Sequence, residues 1–335
     1  MKILNFPCLI QREIFKQLHP SELLFLSFCS ARTKQLIRGA RSQQCEIIFD
    51  VQRKNNIMFH IHNGKPNSEC SVLNILNEPF FPRKGDSNII KLPNNLGIYC
   101  KGSWEFEHLT LEQRFNHLQI NEFYTHLCDL FHSPTNYFVE FSDYDEIRIQ
   151  MQTSLKPNMI KKSKLTGEIP PLFFTDHSDQ ELCIAENLYR RNAMSGNDPI
   201  LSINNIYVKN ICCRVQRMLL FFKGEHAFLE TDMYDPFMIN MFLKFWAEKT
   251  DDKLQSMIVY MSNQKDWELN IFSNMEKVSL KRDSIYPYNS LIKEHYEFSA
   301  DTFDCSTGFE VKRADGRIGT VKKTTNYFMF FVWNN

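Results

Sequence analysis

The stretch FPCLIQREIFKQLHPSELLFLSFCSARTKQLIR, residues 6–38, decides how the chain begins. Phe6, Ile10, Ile14 and Leu18 recur four apart with Leu9 alongside, which gives a helix one apolar face. Pro7 suits the first helical turn, where its missing N–H costs nothing. At His19-Pro20-Ser21 this helix has to stop, because proline cannot continue it and restricts the residue before it. A second helix then opens with Glu22 in its first turn, where a carboxylate complements the dipole, and Leu23, Leu26 and Ser27 form its stripe. A third helical stretch runs through Arg32, Leu36 and Ile37. Three helices in about forty residues carry more apolar stripe than they can bury among themselves, so a partner or the rest of the chain must cover the remainder.

Beyond this module the rhythm changes. From Cys45 to Cys100, short apolar runs (CEIIFDV, IMFHIH, NIIKL, LGIYC) alternate with Asn, Gly, Lys and Pro, and read as strands and turns. A periodic segment from Thr110 with Leu111, Phe115, Leu118, Phe123, Leu127, Leu130 and Phe131 predicts one or two helices, followed by an extended run at 136–141. Helix and strand patterns then alternate. PLFFT at 171–175 reads as a strand before a DQELCIAENL helix, SINNIYVKN and HAFLE as strands, YDPFMINMFLKFWAEK as a helix and LQSMIVYM as a strand. A hairpin with an Asp315-Gly316 turn and a closing NYFMFFVW strand end the chain. The pattern predicts an α+β or α/β architecture: a three-helix module at residues 3–44, a β-rich connecting segment at 45–103, and a larger mixed domain at 104–335. The strand-helix units of that domain are irregular and loosely leucine-rich-repeat-like, without an asparagine ladder.

Composition bounds the function. At 335 residues the chain holds roughly two domains, and 43% hydrophobic with 23% charged residues matches a folded globular protein. Lys+Arg 39 against Asp+Glu 39 denies it the basic field that phosphate backbones select for, so no nucleic-acid partner is expected. Only 11 glycines argue against a glycine-rich phosphate loop, and 29 phenylalanines favour broad apolar contact surfaces. The longest apolar runs, such as MLLFF at 218–222, are far too short to span a bilayer, so no membrane is expected. The ten cysteines form no CxxC pair and read as reduced thiols, which with the lack of a signal-peptide pattern and of Asn-x-Ser/Thr acceptors places the chain in cytoplasm or nucleus.

Other motifs carry no chemistry on this reading. His60 and His62 alternate on one strand face with no third ligand in register, so no metal is expected there. Asp176-His177-Ser178 are adjacent in sequence, which does not make a triad, and no nucleophile elbow accompanies them. Lys156, Lys161, Lys162 and Lys164 read as a solvated loop, Cys212-Cys213 as buried thiols, and Phe242, Leu243 and Trp246 as core. No cofactor is expected and no catalytic residue stands out.

Residues 6–38 resemble an F-box, the helical motif that docks on the Skp-type adaptor of cullin-RING ubiquitin ligases. The resemblance rests on Phe6-Pro7, Glu13-Ile14, the run Leu18, Pro20, Glu22 and Leu23, and the Leu26 to Arg32 run. Family members commonly carry Asp before the central proline, where it caps the second helix, and this chain has His19. From about residue 104, three blocks resemble the F-box-associated domain (type 2) of the nematode F-box family: WEFEHLTLEQRFNHLQINEFYTHLCDLF, NMFLKFWAEKTDDKLQSMIV and RADGRIGTVKKTTNYFMFFVW. The resemblance implies a substrate-recognition subunit of an SCF-type ligase, not an enzyme, with partners in the Skp-type adaptor, through it cullin, and a protein substrate. The implied adaptor-binding residues are Phe6, Pro7, Leu9, Ile10, Ile14, Leu18, Pro20, Glu22, Leu23 and Leu26. An adaptor-binding scaffold or decoy, or an enzyme within 104–335, are the alternatives.

Overall fold

A computed structural model describes residues 3–41, 44–51, 57–62, 70–76, 88–91, 97–105, 108–112, 117–133, 137–141, 160–166, 171–186, 196–211, 215–232, 236–249, 253–262, 285–295 and 301–333. The chain divides into two compact units, Met1–Ile160 and Lys161–Asn335.

In the first unit a 3-10 turn at Ile3–Asn5 leads into helices α1 (Cys8–Gln17), α2 (Pro20–Cys29) and α3 (Ala31–Ala40). Pro7 sits at the N-cap of α1, one residue before the helical position expected for it. His19 caps α2 in place of a carboxylate. Its Nδ1 accepts the Ser21 N–H at 3.4 Å, and the Glu22 carboxylate accepts the His19 N–H at 2.8 Å, which closes a capping box over the first turn. The other ring nitrogen, Nε2, lies 3.0 Å from Cys70 Sγ, so the cap is tied to a strand. Ser30 ends α2 and caps α3 by accepting the Thr33 N–H at 3.0 Å.

Strands β1 (Glu46–Val51), β2 (Ile57–His62), β3 (Cys70–Leu76), β4 (Asn88–Lys91), β5 (Gly97–Glu105), β6 (His108–Glu112) and β7 (Tyr137–Phe141) form a sheet in the order β7-β1-β2-β3-β6-β5-β4. It mixes antiparallel pairs with two parallel ones, β1 with β7 and β3 with β6. Helix α4 (His117–Phe131) joins this layer. Ile57, Phe59 and Ile61 alternate inward on β2, and Phe59 meets Tyr124 of α4 with ring centroids 6.4 Å apart. Residues 110–112, read as the start of a helical segment, belong to strand β6, because pairing with β3 wins over the local apolar spacing. His60 points to the polar face, where Ser71 Oγ at 3.1 Å and Asp50 at 3.6 Å occupy its two nitrogens.

The three N-terminal helices do not stand apart from this unit. Leu23 and Leu24 of α2 and Ile37 of α3 are fully buried, and α2 packs on β3, β6 and α4. The Ser27 hydroxyl donates to the Leu24 carbonyl at 2.6 Å, so His126 of α4 donates from Nε2 to Ser27 Oγ at 2.7 Å. Phe28 stacks on the His126 ring at 4.8 Å and meets Phe123 edge-on. On the same seam Asp129 bridges Lys34 at 2.6 Å and Arg38 at 2.9 Å, and His132 donates to the Arg38 carbonyl at 3.0 Å. Burial favours the neutral Asp129 acid, but the hydrogen bond and charge of Lys34, joined by Arg38, outweigh it and hold the carboxyl below its ordinary range. Burial lowers His126 to about 4, and the Lys34 charge adds to this.

In the second unit, β8 (Ile160–Thr166), β9 (Leu182–Glu186), β10 (Asn205–Lys209), β11 (His226–Thr231) and β12 (Ser256–Met261) pair in parallel, each with the next in sequence. They start at residues 160, 182, 205, 226 and 256, more evenly spaced over the first four than the irregular units expected. Helices α5 (Pro171–Asp176), α6 (Val215–Phe221) and α7 (Pro236–Glu248) and a 3-10 turn at Pro199–Ser202 connect them. An antiparallel extension of β17 (Tyr327–Trp333), β16 (Ile318–Lys323) and β15 (Phe309–Lys312) completes the sheet, with Gly316 at φ 92° in the expected hairpin turn. The register aligns Ala185, Val208, Leu229, Val259 and Phe328 on one face and Ile184, Tyr207, Phe228, Ile258 and Met329 on the other. Phe242 and Trp246 of α7 cover the first face, packing on Phe328 and Phe330. A ribbon of β13 (Ile285–Pro287) and β14 (Thr302–Asp304) with a 3-10 turn at Leu291–His295 covers the second through Tyr286, Tyr288, Ile292 and Phe303.

Two assignments are reversed. Residues 171–176 are helix α5 and LCIAE at 182–186 is strand β9, because Pro171 opens a helix while a strand covered on both faces is continuously apolar and hides its period of two. The lysines at 161, 162 and 164 lie on strand β8, with Ile160, Ser163 and Leu165 buried among them, rather than on a loop. Lys156 and Cys212-Cys213 lie outside the described residues. Phe242, Leu243 and Trp246 are buried core.

Two measurements follow. In unfolded chain a histidine titrates near 6.5, whereas His126 in the fold titrates at about 4. The unfolded state therefore binds the extra proton as pH falls, and the stability contributed by neutral His126 is full above about 6.5 and lost on the way down to about 4. In denaturant titrations at pH 7.5 and pH 5, His126 should account for about 2 kcal/mol of the stability lost at the lower pH, the share removed in His126→Gln, while buried His226, also lowered to about 4, and His177 add to the total. Separately, His19→Ala should lower stability by about 1 kcal/mol in thermal unfolding, whereas His19→Asp, which keeps an acceptor for the α2 cap, should cost less than half of that.

Candidate functional site

The N-terminal helices show two faces. The inward one holds Gln11, Phe15, Leu23, Leu24, Ser27, Thr33, Ile37 and Ala40. The outward one concentrates apolar surface: Phe6 is 39% exposed, Leu9 75%, Ile10 47% and Phe25 42%. Half of the large exposed hydrophobic side chains among the described residues fall within this N-terminal module, Phe6 just ahead of α1, Leu9 and Ile10 on it and Phe25 on α2. A helix that leaves such residues in water when its neighbours are well packed marks an interaction face.

Each residue expected to contact an adaptor has a definite place. Phe6, Pro7, Leu9 and Ile10 are exposed and lie together at the start of α1. Ile14, Leu18, Pro20 and Leu26 are half-buried, and the Glu22 carboxylate is engaged in the α2 cap. Leu23 departs from the expectation. At 0% exposure it is a core residue of the seam with the sheet, so its side chain is not a surface anchor. Helical spacing could not separate Leu23 from Phe25, because Leu23 to Leu26 are all apolar and the sheet that selects the inward pair lies far along the chain. Phe25 was missed for the same reason.

What holds this face in place is a hydrogen-bonded frame, part-buried at Gln11 and Arg41 and exposed at Arg12. Gln11 reaches back with Nε2 to the Phe6 carbonyl at 2.6 Å and the Leu4 carbonyl at 3.3 Å, which fixes the entry to α1 against its first turn. Arg12 donates to the Gly39 carbonyl at 3.2 Å and Arg41 to the Leu18 carbonyl at 3.3 Å, tying α1 to the C-terminal end of α3. Burial lowers the Arg41 guanidinium below its ordinary value, and its plane lies over the Phe131 ring at 5.8 Å. The face carries no nucleophile-base pair, so its chemistry is apolar burial.

Among the described residues of the second unit no cluster gathers catalytic groups. His177 is buried, while Ser178 is exposed and directs its hydroxyl to Asp179, so Asp176, His177 and Ser178 do not converge. Among the described residues no group of three or more His, Cys, Asp or Glu could hold a metal ion. The cysteines at 8, 29, 45, 70, 128, 183 and 305 are free thiols. Burial raises Cys128 and Cys305 to about 11, so both stay protonated and inert. No helix among the described residues is long and apolar enough to cross a membrane.

Comparison with curated proteins and with solved structures finds no match to this chain. The scan of protein families matches the F-box domain at residues 3–42, the span of the 3-10 turn and α1 to α3. F-box domains generally bind Skp-type adaptors, and proteins that carry them are typically adaptor-type subunits rather than enzymes. The segment that leaves Phe6, Leu9, Ile10 and Phe25 in water thus matches an F-box domain, a domain generally found in substrate-recognition subunits of SCF-type ubiquitin ligases.

Proposed function

We propose that this chain docks on a Skp-type adaptor through the outward face of α1 and α2, and through it on a cullin scaffold, while the region from about residue 104 to 335 holds a protein target for ubiquitin transfer. The domain scheme is an F-box module at 3–44, a β-rich connecting segment at 45–103 and an F-box-associated domain at 104–335. The observation that carries the adaptor half is the split between buried Leu23, Leu24 and Ile37 and exposed Phe6, Leu9, Ile10 and Phe25. The contact thus uses the first turns of α1 with Pro7, Ile14 and Leu18 at its margin, and Leu23 supports it from within. Resemblance of three blocks to the nematode-type associated domain supports the target-binding half, as does an array of parallel strands faced by aromatic residues. Docking and target holding ask no chemistry of the receptor, and its free thiols suit cytoplasm or nucleus.

Co-expression with a Skp-type adaptor and affinity purification test this reading. The unaltered chain should yield a stable complex, and Leu9→Asp with Ile10→Asp should weaken it by about a hundredfold while leaving the unfolding midpoint unchanged, since both side chains are exposed. Leu23→Asp should instead unfold the first unit. Equal complex recovery from the double variant, or none from either chain, would sink the assignment of this face.

A further inference from the structure

Strand β3 of the first unit carries one residue more than β2 can match. Phe59 stands opposite Leu73 and His60 opposite Ser71, so Val72 has no register partner on β2. A bulged residue of this kind shifts the side-chain alternation of its strand. Counted back in steps of two from Leu73, which faces inward with Phe59, Ser71 would fall on the inward side and Cys70 on the outward side. The bulge exchanges them. Cys70 turns inward to His19 at the cap of α2, and Ser71 turns outward to His60.

On that outward face an acid, a base and a hydroxyl meet across three neighbouring strands. The His60 ring has Asp50 Oδ2 of β1 at 3.6 Å from Nε2 and Ser71 Oγ of β3 at 3.1 Å from Nδ1. A carboxylate only accepts, so the ring turns its Nε2–H toward Asp50 and leaves Nδ1 to accept the Ser71 hydroxyl. This is the acid-base-hydroxyl order of a nucleophilic relay, with the roles of the two ring nitrogens exchanged. Glu140 of β7 stands opposite Asp50 in the register, so negative charge backs the imidazole. The His60 and Asp50 side chains are 12% and 15% exposed and Ser71 is half-buried, which shelters the group without closing it off. The run Asp176-His177-Ser178 has these residue types in sequence and fails to join them, whereas strand pairing joins them here from positions 50, 60 and 71.

Going beyond the receptor reading and independently of it, we propose that Asp50, His60 and Ser71 form an acyl-transfer site that acts on activated esters, aryl esters or thioesters. Ser71 Oγ attacks the carbonyl carbon as its proton passes to His60 Nδ1. The bond from that carbon to the leaving oxygen or sulfur breaks, and the leaving group takes the proton from Nδ1. Water then attacks the acyl-Ser71 ester, gives a proton through His60 Nδ1 back to Ser71 Oγ, and releases the carboxylic acid. Ser71 and His60 are the catalytic residues, and Asp50 is a positioning residue that holds the tautomer. The bulge sets the Val72 peptide out of the β2 ladder beside the nucleophile, where its N–H serves the charge on the carbonyl oxygen. The 3.6 Å contact to Asp50 is long, so the relay suits substrates whose leaving group departs readily rather than amides.

A fluorophosphonate probe on the full chain tests this, since attack by Ser71 forms an O–P bond and expels fluoride. Peptide mapping by mass spectrometry should place one adduct on Ser71 of the folded chain and none on the heat-denatured chain. His60→Gln should slow the labelling about a hundredfold with the unfolding midpoint unchanged. Asp50→Asn should slow it about tenfold, and Asp50→Glu, which restores a carboxylate, should recover the rate. Turnover of p-nitrophenyl acetate should disappear in Ser71→Ala. Absence of an adduct at Ser71, equal labelling of the denatured chain, an unchanged rate in His60→Gln or retained turnover in Ser71→Ala overturns the proposal. Should either variant fail to fold, the adduct on the unaltered chain and its loss on denaturation still decide. Adaptor co-purification reads a different face, so a chain that binds adaptor and leaves the probe untouched condemns this site alone.

Discussion

The F-box helices depend on the seam that α2 and α3 make with α4 and the first sheet. Three helices of 10 residues each cannot enclose a core of their own, and their inward stripe is completed by β3, β6 and α4, which lie far along the chain. Ser27 shows how closely the seam is specified. Its hydroxyl satisfies the Leu24 carbonyl and in turn receives the proton of His126, so one small polar side chain fixes both the last turns of α2 and the rotation of α4. The His126 ring is stacked on Phe28, and among the described residues its Nδ1 has no partner, which makes a charge there costly. Lys34, Arg38 and Asp129 add a half-exposed ion-pair cluster whose worth lies mainly in orientation, since exposed pairs contribute little energy.

A different constraint governs the second unit. A parallel strand needs a crossover before its neighbour can pair, and once helices cover one face and the aromatic ribbon the other, each strand is apolar on both sides. The line Ile184, Tyr207, Phe228, Ile258 and Met329 has to be sealed by Tyr286, Tyr288 and Phe303, which come from a part of the chain far beyond the array. Tyr286 makes the seal specific by donating to the Gln255 and Val332 carbonyls, at 3.1 and 3.2 Å, at the margin where β12 meets β17. The same packing leaves α7 with its inner face fully occupied and its outer aromatic residues without a place in the core.

The sequence showed most clearly what depends on neighbouring residues in the chain. Helices α1 to α3 were readable because a proline punctuates them and their apolar spacing is local, and the strands IMFHIH and HAFLE because they are short apolar runs between turn residues. The exchange of helix and strand at 171–186 has a tertiary cause: LCIA is apolar at every position because both faces of β9 are covered, and such a run looks the same in a buried helix. The lysines of β8 concealed a strand whose alternate residues Ser163 and Leu165 are buried. At the candidate site the α1 anchors were legible, but the inward role of Leu23 and the exposure of Phe25 were not, since the sheet that decides between them is assembled from distant residues.

The seam also bears on how an F-box can work. Arg12, Arg41 and Gln11 fix α1 to its neighbours, and Ser27, Phe28, Lys34 and Arg38 fix α2 and α3 to α4, so the exposed residues of α1 sit on a braced frame within the first unit. A braced apolar face loses less conformational entropy on binding than the same residues on a loose helix, and so returns more of its burial as affinity. It also presents Phe6, Leu9 and Ile10 in one orientation. That fixed orientation is the quantity the fold supplies, and it explains why a polar pair as costly to bury as Ser27 and His126 stands where two more apolar side chains would have packed with less specificity.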